Sequence, residues 1–218
     1  MCEINNKMKN SHSSYYLFKC EVGSLDVNCY FIADASSRKA AIIDPGASPE
    51  NIEAIIEREK LIPVAIINTH GHYDHIGADA ALKKKFGIPL LIHRADAPFL
   101  TDSSLNGSCY MGVDITGVSA DRLLDNGDTI NVGALEFTVI HTPGHTPGGI
   151  CLWTEDLLFT GDTLFCGSVG RCDLAGGDED ILNASLKILK TLPETLRILP
   201  GHGPECTLSK ELRHNPYL

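Results

Sequence analysis

The chain has 218 residues, of which 43% are hydrophobic, so it can bury the core of one large domain or two small ones and is not intrinsically disordered. Its formal net charge of -10 argues against nucleic acid as the main partner, because phosphate binding needs a basic surface. No apolar run reaches the roughly 20 residues of a membrane span, and the polar start MCEINNKMKNSHSSYY lacks the apolar stretch of a secretory signal. We therefore expect a cytoplasmic protein with no membrane partner.

The first half of the chain predicts strands and helices in turn. Short apolar runs broken by turn residues indicate strands, and a change of period then indicates a helix that Ser48 can cap and Pro49 can open. A second helix is expected to begin near Asp74 and to stop at Gly87. The strands expected in this half read YYLFKC, NCYFIAD, KAAIID, PVAIIN and IPLLIH.

The second half predicts a long connection, three strands, a helix and a last strand. Residues 100–128 show no clean period, which is typical of a functional loop that shapes a pocket. Tyr110 is a candidate contact there, with an ordinary packed tyrosine as the favoured alternative. The strands read LEFTVIH, GGICLWT, LLFT and TLRILP. The helix DEDILNASLKILKTL carries one apolar side made of Ile181, Leu182, Ser185, Leu186 and Leu189.

No linker or repeat divides these elements. The sequence predicts one α/β domain over residues 15–218, with helices covering the outer faces of packed sheets, after a flexible leader at residues 1–14. The eight cysteines are scattered without a CxxC pair, so we expect reduced thiols that mostly fill the core.

Three histidines and an aspartate crowd into six residues of THGHYDH: His70, His72, Asp74 and His75. The first two are two positions apart, so in extended backbone their rings point to the same side. Asp74 and His75 fall where the chain is expected to turn into a helix. A solvated, histidine-rich loop is the alternative, but imidazole and carboxylate together suit zinc, iron or manganese.

Three further residues also follow predicted strands at loops marked by glycine or proline, namely His145, Asp162 and His202. Such strand ends are where sites form in α/β proteins. Seven ligand-type side chains are more than one tetrahedral metal centre can use, whereas two metals that share a carboxylate would use them all. The remaining histidines are read as structural or solvated, with His141 nearest to a supporting role: His12, His93, His141 and His214.

The motifs THGHYDH, TPGHTPGG, FTGD and LPGHGP resemble those of the metallo-β-lactamase fold superfamily, in that order and over nearly the whole chain. IIDPG, which contains Asp44, resembles the first motif of that family, whose aspartate is generally a supporting group. GDTLFCGSVGRCDLAGGD and ELRHNPYL are similar to the short, single-domain members of its hydroxyacylglutathione hydrolase (glyoxalase II) branch.

The resemblance implies a four-layer αββα sandwich with a dinuclear site at one edge of the sheets. It assigns His70, His72 and His145 to the first metal, Asp74, His75 and His202 to the second, and Asp162 to both. Zinc is expected, with iron or manganese as alternatives. In the lactamases proper a cysteine stands at the position of Asp162 and the enzymes are exported, so the resemblance disfavours lactam hydrolysis.

One departure from that branch concerns the substrate. Full-length glyoxalase II enzymes have a C-terminal helical region that supplies much of the glutathione contact, and this chain stops soon after His202. Arg171 falls where the family often has a basic residue facing the carboxylate side of the substrate. It either does part of that work or forms a structural ion pair in its acidic loop.

The expected function is therefore a metal-dependent hydrolase of acyl thioesters of the hydroxyacylglutathione type. Two neighbouring divalent cations lower the pKa of a bridging water from about 15.7 to about 7, and the resulting hydroxide attacks the carbonyl. Asp74 and Asp162 are the expected catalytic carboxylates, and Asp74 is also placed to shuttle the proton. The partner is a small thioester, and the choice between monomer and dimer stays open.

Other functions on the same site stay open too. A persulfide dioxygenase would bind one iron through His70, His145 and Asp162, and the motifs do not separate it from the hydrolase. Lactone or other ester hydrolysis would use the same centre, while a nuclease is disfavoured by the charge of -10. A non-catalytic metal-binding regulator would have a filled site with no open coordination position.

Overall fold

Residues 14–218 are described by a computed structural model, in which two six-stranded β-sheets are flanked by helices. This confirms the α/β class and the αββα layering expected from the sequence. The predicted leader falls, apart from Ser14, outside the described residues, so the division into leader and domain stays a prediction. No helix within the described part combines the length and the apolar character needed to cross a membrane.

The first sheet has a mixed topology. Its first three strands pair antiparallel, and the third to sixth strands pair parallel, so helical connections cross one face of the sheet. In spatial order its strands are β1 (Tyr15–Val22), β2 (Val27–Asp34), β3 (Lys39–Ile43), β4 (Ile62–Ile67), β5 (Leu90–His93) and β6 (Arg122–Leu124).

The second sheet contains β7 (Thr129–Val132), β8 (Leu135–His141), β9 (Ile150–Thr154) and β10 (Leu157–Gly161). A separate two-stranded ribbon follows, made of β11 (Leu164–Phe165) and β12 (Ser168–Val169). The sheet is completed by β13 (Arg197–Pro200) and β14 (Cys206–Thr207), in the spatial order β14-β13-β10-β9-β8-β7. Its pairs are antiparallel except β10 with β13, which are parallel.

Seven α-helices and one 3₁₀ turn complete the described chain. They are α1 (Pro49–Arg58), α2 (Tyr73–Ile76), α3 (Asp79–Phe86), the 3₁₀ turn (Ala97–Leu100), α4 (Ser103–Asn106), α5 (Ser108–Met111), α6 (Glu179–Leu189) and α7 (Leu208–His214).

Alternation along the strands builds the core in layers. The central layer lies between the sheets, where Ile32 and Ile67 of the first sheet meet Phe137 and Phe159 of the second. On the outer face of the first sheet, α1 and α3 bury their apolar sides, and α6 does the same on the second sheet. Burial of such side chains contributes about 1.5 to 3 kcal/mol each, so the sheets form a rigid base for the loops at their edge.

The helices differ from the sequence predictions in three details. Ser48 makes no side-chain capping hydrogen bond and has a positive φ of 53°. The helix expected from Asp74 to Gly87 is divided into α2 and α3, although it stops at Gly87 as predicted. On α6, Ile181 is 46% exposed rather than part of the apolar side, because the buried stripe runs through Leu182, Ser185, Leu186 and Leu189.

Several elements and one disulfide bond were not expected. The region 100–128 contains α4, α5 and β6, and β7, the ribbon β11–β12, β14 and α7 were missed as well. Six of the described cysteines have free thiols, but Cys20 is disulfide-bonded, so the prediction of reduced thiols is wrong at that position.

Candidate metal centre

Four loops at one edge of the sandwich hold the side chains singled out in the sequence. The first follows β4 and leads into α2, the second follows β8, the third follows β10, and the fourth follows β13. The structure brings all seven predicted ligand side chains together at this edge: His70, His72, Asp74, His75, His145, Asp162 and His202. The convergence that the strand ends predicted is present.

Three imidazoles form the first group. His70, His72 and His145 are 1%, 5% and 4% exposed, and one nitrogen of each lies within 4.8 Å of the others. The closest pair is Nδ1 of His72 and Nε2 of His145, at 2.9 Å. Two imidazole nitrogens this close either share a proton or donate their lone pairs to a common cation.

A carboxylate and two imidazoles form the second group. Nε2 of His75 is 3.3 Å from Nε2 of His202. Oδ2 of Asp74 lies 3.7 Å from the His75 nitrogen and 3.4 Å from the His202 nitrogen. The three ligand atoms thus surround one point, as the ligands of a single cation do.

Asp162 lies between the two groups. Its Oδ2 is 3.6 Å from Nε2 of His145 in the first group and 3.6 Å from Nε2 of His202 in the second. Its Oδ1 is 3.5 Å from Nε2 of His75 and has no hydrogen-bond partner. A carboxylate that faces both groups in this way has the geometry of a bridge between two cations.

The donor set fits divalent cations. Nε2 of His70 and Oδ1 of Asp162 are buried without a hydrogen-bond partner, a costly state for polar atoms unless an ion occupies the space between them. Imidazole nitrogen and carboxylate oxygen are the ligands that zinc, iron and manganese accept. The structure therefore supports the predicted use of this cluster as a metal site.

Hydrogen bonds outside the cluster orient two of its rings. Nδ1 of His145 donates to the carbonyl oxygen of Arg171 at 2.7 Å, and Nδ1 of His202 donates to that of Leu25 at 2.9 Å. Since a carbonyl oxygen only accepts, these bonds place the proton on Nδ1. The Nε2 lone pairs therefore point inward, as metal ligands require.

Asp44 plays the same part for a third ring. Its Oδ2 is 3.1 Å from Nδ1 of His75 and accepts a hydrogen bond from the hydroxyl of Thr69 at 2.6 Å, and its Oδ1 accepts one from the backbone nitrogen of Thr69 at 2.7 Å. Asp44 is 1% exposed and lies behind the histidine rather than in the cluster. This arrangement agrees with the supporting role implied by the resemblance.

Electrostatics divide the cluster into a neutral and a charged half. Burial and the neighbouring imidazoles lower the pKa of His70 far below its ordinary value, and burial followed by His145 lowers the pKa of His72 to about 3. Both rings are thus neutral, the form that binds metals. Burial would lower the pKa of His75 as well, but Asp162, Asp74 and Asp44 raise it to about 10. The carboxylates therefore require positive charge, which divalent cations would supply.

A sequence profile of the metallo-beta-lactamase superfamily matches residues 22–202. The chain belongs to this superfamily. The Bacillus subtilis protein described as probable metallo-hydrolase YqgX is 39% identical to this chain over 201 residues, which cover 90% of this chain and 94% of that protein. Hydroxyacylglutathione hydrolase GloC of Haemophilus influenzae is 35% identical over 202 residues, covering 90% of this chain and 95% of that one.

Three solved structures are similar to this chain over nearly all of its length. The crystal structure of BLEG-1, described as a B3 metallo-beta-lactamase, has a TM-score of 0.88 and 41% identity over 93% of this chain and 99% of that chain. TTHA1623, crystallised in a di-iron-bound form, has a TM-score of 0.84 and 39% identity over 92% of this chain and 100% of that chain. ETHE1 of Myxococcus xanthus has a TM-score of 0.77 and 29% identity over 91% of this chain and 82% of that chain.

Sequence reasoning missed one residue of this superfamily site. Asp96, 0% exposed, accepts hydrogen bonds from the backbone of Gly71 at 2.9 Å, the hydroxyl of Thr146 at 2.7 Å and the backbone of Gly148 at 2.6 Å. It thus ties the first histidine loop to the loop of His145. A Cβ on Gly148 would lie 2.5 Å from the Asp96 nitrogen, so only glycine permits this approach. No metal-ligand spacing marks Asp96 in the sequence.

A cavity of about 540 Å³ opens above the cluster. Its floor includes Asp74 and Asp162 and its side includes residues 104–107, Tyr110 and Met111, so the region predicted to shape a pocket does line one. Arg171 also lines it, with a bidentate pair to Asp173 at 2.6 and 2.7 Å. Both readings of Arg171 thus have a structural basis.

His93 and His141 lie outside the cluster. Their rings stack at 4.0 Å, and Nε2 of His141 donates to the carbonyl oxygen of Pro147 at 2.9 Å. Pro147 is two residues after His145, so His141 supports that loop from behind.

Proposed function

We propose that this superfamily member is a metal-dependent hydrolase that cleaves acyl thioesters of the hydroxyacylglutathione type. The observation that carries the proposal is the convergence of five histidines and two aspartates at an open cavity, which is lined by His72, His145, His202 and both aspartates. The 35% identity to a protein named as a hydroxyacylglutathione hydrolase, over almost the full length of that protein, supports the substrate class.

The ligand assignment follows from the two groups and their bridge. His70, His72 and His145 would hold one cation, Asp74, His75 and His202 the other, and Asp162 both. Two cations fit better than one, because the carboxylates in the charged half of the cluster carry negative charge. The neutral imidazoles of the other half do not balance that charge. Zinc is our first choice, with iron or manganese as alternatives, and the di-iron form of TTHA1623 supports iron.

When bound, two such cations lower the pKa of a water molecule and polarise a substrate carbonyl. Asp74 lies on the cavity floor beside His202 and is placed to take up a proton there. Burial would raise the pKa of Asp74, but His75 and His202 lower it below its ordinary value, which keeps the carboxylate ionised. We assign the proton transfer to this residue.

The cavity wall would position the substrate. Leu25, Phe165 and Val169 line it with apolar surface, which suits an acyl group and excludes bulk water from the carbonyl. Arg171 would meet a carboxylate of the thiol portion by exchanging its bond to Asp173, since both side chains are more than 60% exposed. No Ser or Cys nucleophile is needed in this scheme.

Three other activities compete on the same ligands. A persulfide dioxygenase needs one iron held by two histidines and an aspartate, and His70, His145 and Asp162 are available for it. Lactone or other ester hydrolysis needs the same two cations as thioester hydrolysis. The 41% identity to a protein described as a B3 lactamase brings lactam hydrolysis, which the resemblance disfavoured, into the set to be tested.

The test is a substrate panel on protein purified without chelators and loaded with zinc, iron or manganese in parallel. S-lactoylglutathione, a simple lactone, a penicillin and glutathione persulfide are each supplied under air and under nitrogen. We expect cleavage of the thioester under both atmospheres, with a kcat/KM that exceeds those for lactone and penicillin.

Asp162→Ala is the test variant, and Asp180→Ala, which changes an exposed acid on α6, is its matched control. The first should lose thioester cleavage and the second should keep it. Oxygen uptake on the persulfide without thioester cleavage, or full turnover by Asp162→Ala, would overturn the proposal.

A further inference from the structure

A second cluster of reactive side chains lies outside the metal centre, where the ribbon β11–β12 meets the C-terminal elements. Cys166 is in the turn of the ribbon, Cys206 begins β14 and Glu211 lies on α7. One sulfur or oxygen of each lies within 4.8 Å of the others, and both thiols are free. None of the three takes part in the centre described above.

Glu211 places a negative charge beside the two thiols. It is 1% exposed, and its Oε2 accepts hydrogen bonds from the backbone of Gly167 at 2.6 Å and from Asn215 at 3.0 Å. Burial would raise the pKa of Glu211, but these bonds and those from Cys206 and Cys166 lower it. The buried, ionised carboxylate thus holds the two thiols side by side through the hydrogen bonds that it accepts from them.

The two thiols differ in access. Cys206 is 9% exposed, and burial followed by the charge of Glu211 raises its pKa, so it stays protonated and shielded. Cys166 is only half-buried, and Nζ of Lys210 lies 3.6 Å from its sulfur. Because the sulfur of Cys166 is the more accessible of the two, Cys166 is the thiol that meets a reagent from solvent first.

A metal ion fits this cluster less well than it fits the histidine cluster. Lys210 brings a positive charge next to one of the sulfurs, and Oε2 of Glu211 already accepts two hydrogen bonds. A half-buried thiol beside a shielded thiol is instead the arrangement of thiol–disulfide exchange, in which one sulfur attacks the reagent and the other resolves the mixed disulfide.

We propose that Cys166 and Cys206 form a reversible dithiol–disulfide modification site whose oxidant is a low-molecular-weight disulfide. The Cys166 thiolate attacks one sulfur of the small disulfide, which forms a mixed disulfide and releases one thiolate. The proton of Cys206 passes to the released thiolate, and the Cys206 sulfur attacks that of Cys166 and expels the second thiolate. The small disulfide is reduced to two thiols, which take up the two protons, and the protein pair is oxidised.

The position of the pair gives this modification a route to the cavity. Cys166 is four residues after Asp162 and directly follows Phe165, which lines the cavity, and Cys206 is four residues after His202. The bond would therefore join the two segments that leave the metal centre through β11 and β14.

The test treats the metal-loaded full chain with glutathione disulfide and, in parallel, with 2-hydroxyethyl disulfide, which lacks the charges of glutathione. Peptide mapping should find a Cys166–Cys206 cross-link with both reagents, reversed by dithiothreitol. Closing a loop of this length should raise Tm by about 10 °C. Cys206→Ser should accumulate the mixed disulfide at Cys166, and Cys166→Ser should form neither product.

Cys109→Ser is the matched control, because Cys109 is exposed and remote from the pair in sequence. It should form the cross-link as the unaltered chain does. The proposal is overturned if mapping finds no Cys166–Cys206 bond in the unaltered chain, or if Cys206→Ser leaves Cys166 unmodified. It is also overturned if the chain binds an additional metal that Cys206→Ser loses.

Discussion

The floor and the wall of the cavity are built in opposite ways. On the floor, His72 and His145 are at most 5% exposed and come from loops that directly follow strands of the two sheets. On the wall, Tyr110 is 78% and Met111 57% exposed, and they lie on or beside helices of only four residues. A rigid floor suits chemistry that needs fixed distances, whereas an exposed wall suits the selection of substrates.

If this division is correct, changes on the floor should abolish turnover and changes on the wall should alter only substrate binding. The largest effect is expected at the floor itself. His145→Ala removes a ligand that faces both its own group and Asp162, so kcat should fall by about 10³-fold or more, with loss of bound metal. Steady-state kinetics and elemental analysis check this, with the C-terminal His214→Ala as control; a variant with normal kcat and metal content would refute the assignment.

The support beneath the floor should come next. Asp96→Ala leaves two backbone N–H groups and a hydroxyl without their acceptor, which should lower the free energy of unfolding by about 3 kcal/mol. Urea denaturation measures this. Asp96→Asn keeps one oxygen acceptor and should lose less, and equal stability of all three proteins would show that Asp96 does not tie the loops together.

A smaller loss is expected where the structure orients a ligand without adding one. Asp44→Asn removes the negative charge that faces Nδ1 of His75, so metal affinity should fall by about 10- to 100-fold. Competition with a chelator measures that affinity. Asp34→Asn, at a buried aspartate bonded to Ser36 and Ser37 instead, should leave it unchanged; an unchanged affinity in Asp44→Asn would remove the supporting role.

The smallest effect is expected on the wall. Tyr110→Ala should raise KM for the preferred thioester by up to about 10-fold and leave kcat, metal content and stability nearly unchanged, since the side chain is mostly exposed. Full kinetic curves at saturating substrate separate the two constants. A fall in kcat as large as that of His145→Ala would contradict the contrast between floor and wall.

The sequence was informative where one residue type carries the signal by itself. The seven ligand-type side chains were found because histidine and aspartate recur at strand ends, and the strand LEFTVIH was predicted with its observed limits. Asp96 was missed because its role arises from three donors distant in sequence. No spacing rule encodes such a contact.

The misses in the fold have similar causes. The strand β7 has only four residues, too few to establish an alternation. Ile181 was placed on the apolar side of α6 because helical period alone does not fix how wide the buried stripe is, and packing against the second sheet leaves this residue outside. The short helices α4 and α5 depend on tertiary contacts such as Asn106 with the carbonyl oxygen of Phe99.

Anomalous diffraction from crystals of the metal-loaded chain, recorded at the absorption edge of the metal, is the most direct test of the central claim. We predict two peaks at the edge of the sandwich, one against His70, His72 and His145 and one against Asp74, His75 and His202, with Asp162 between them. A single peak that leaves one of these groups empty, or a peak at Cys166 and Cys206 instead, would contradict the account.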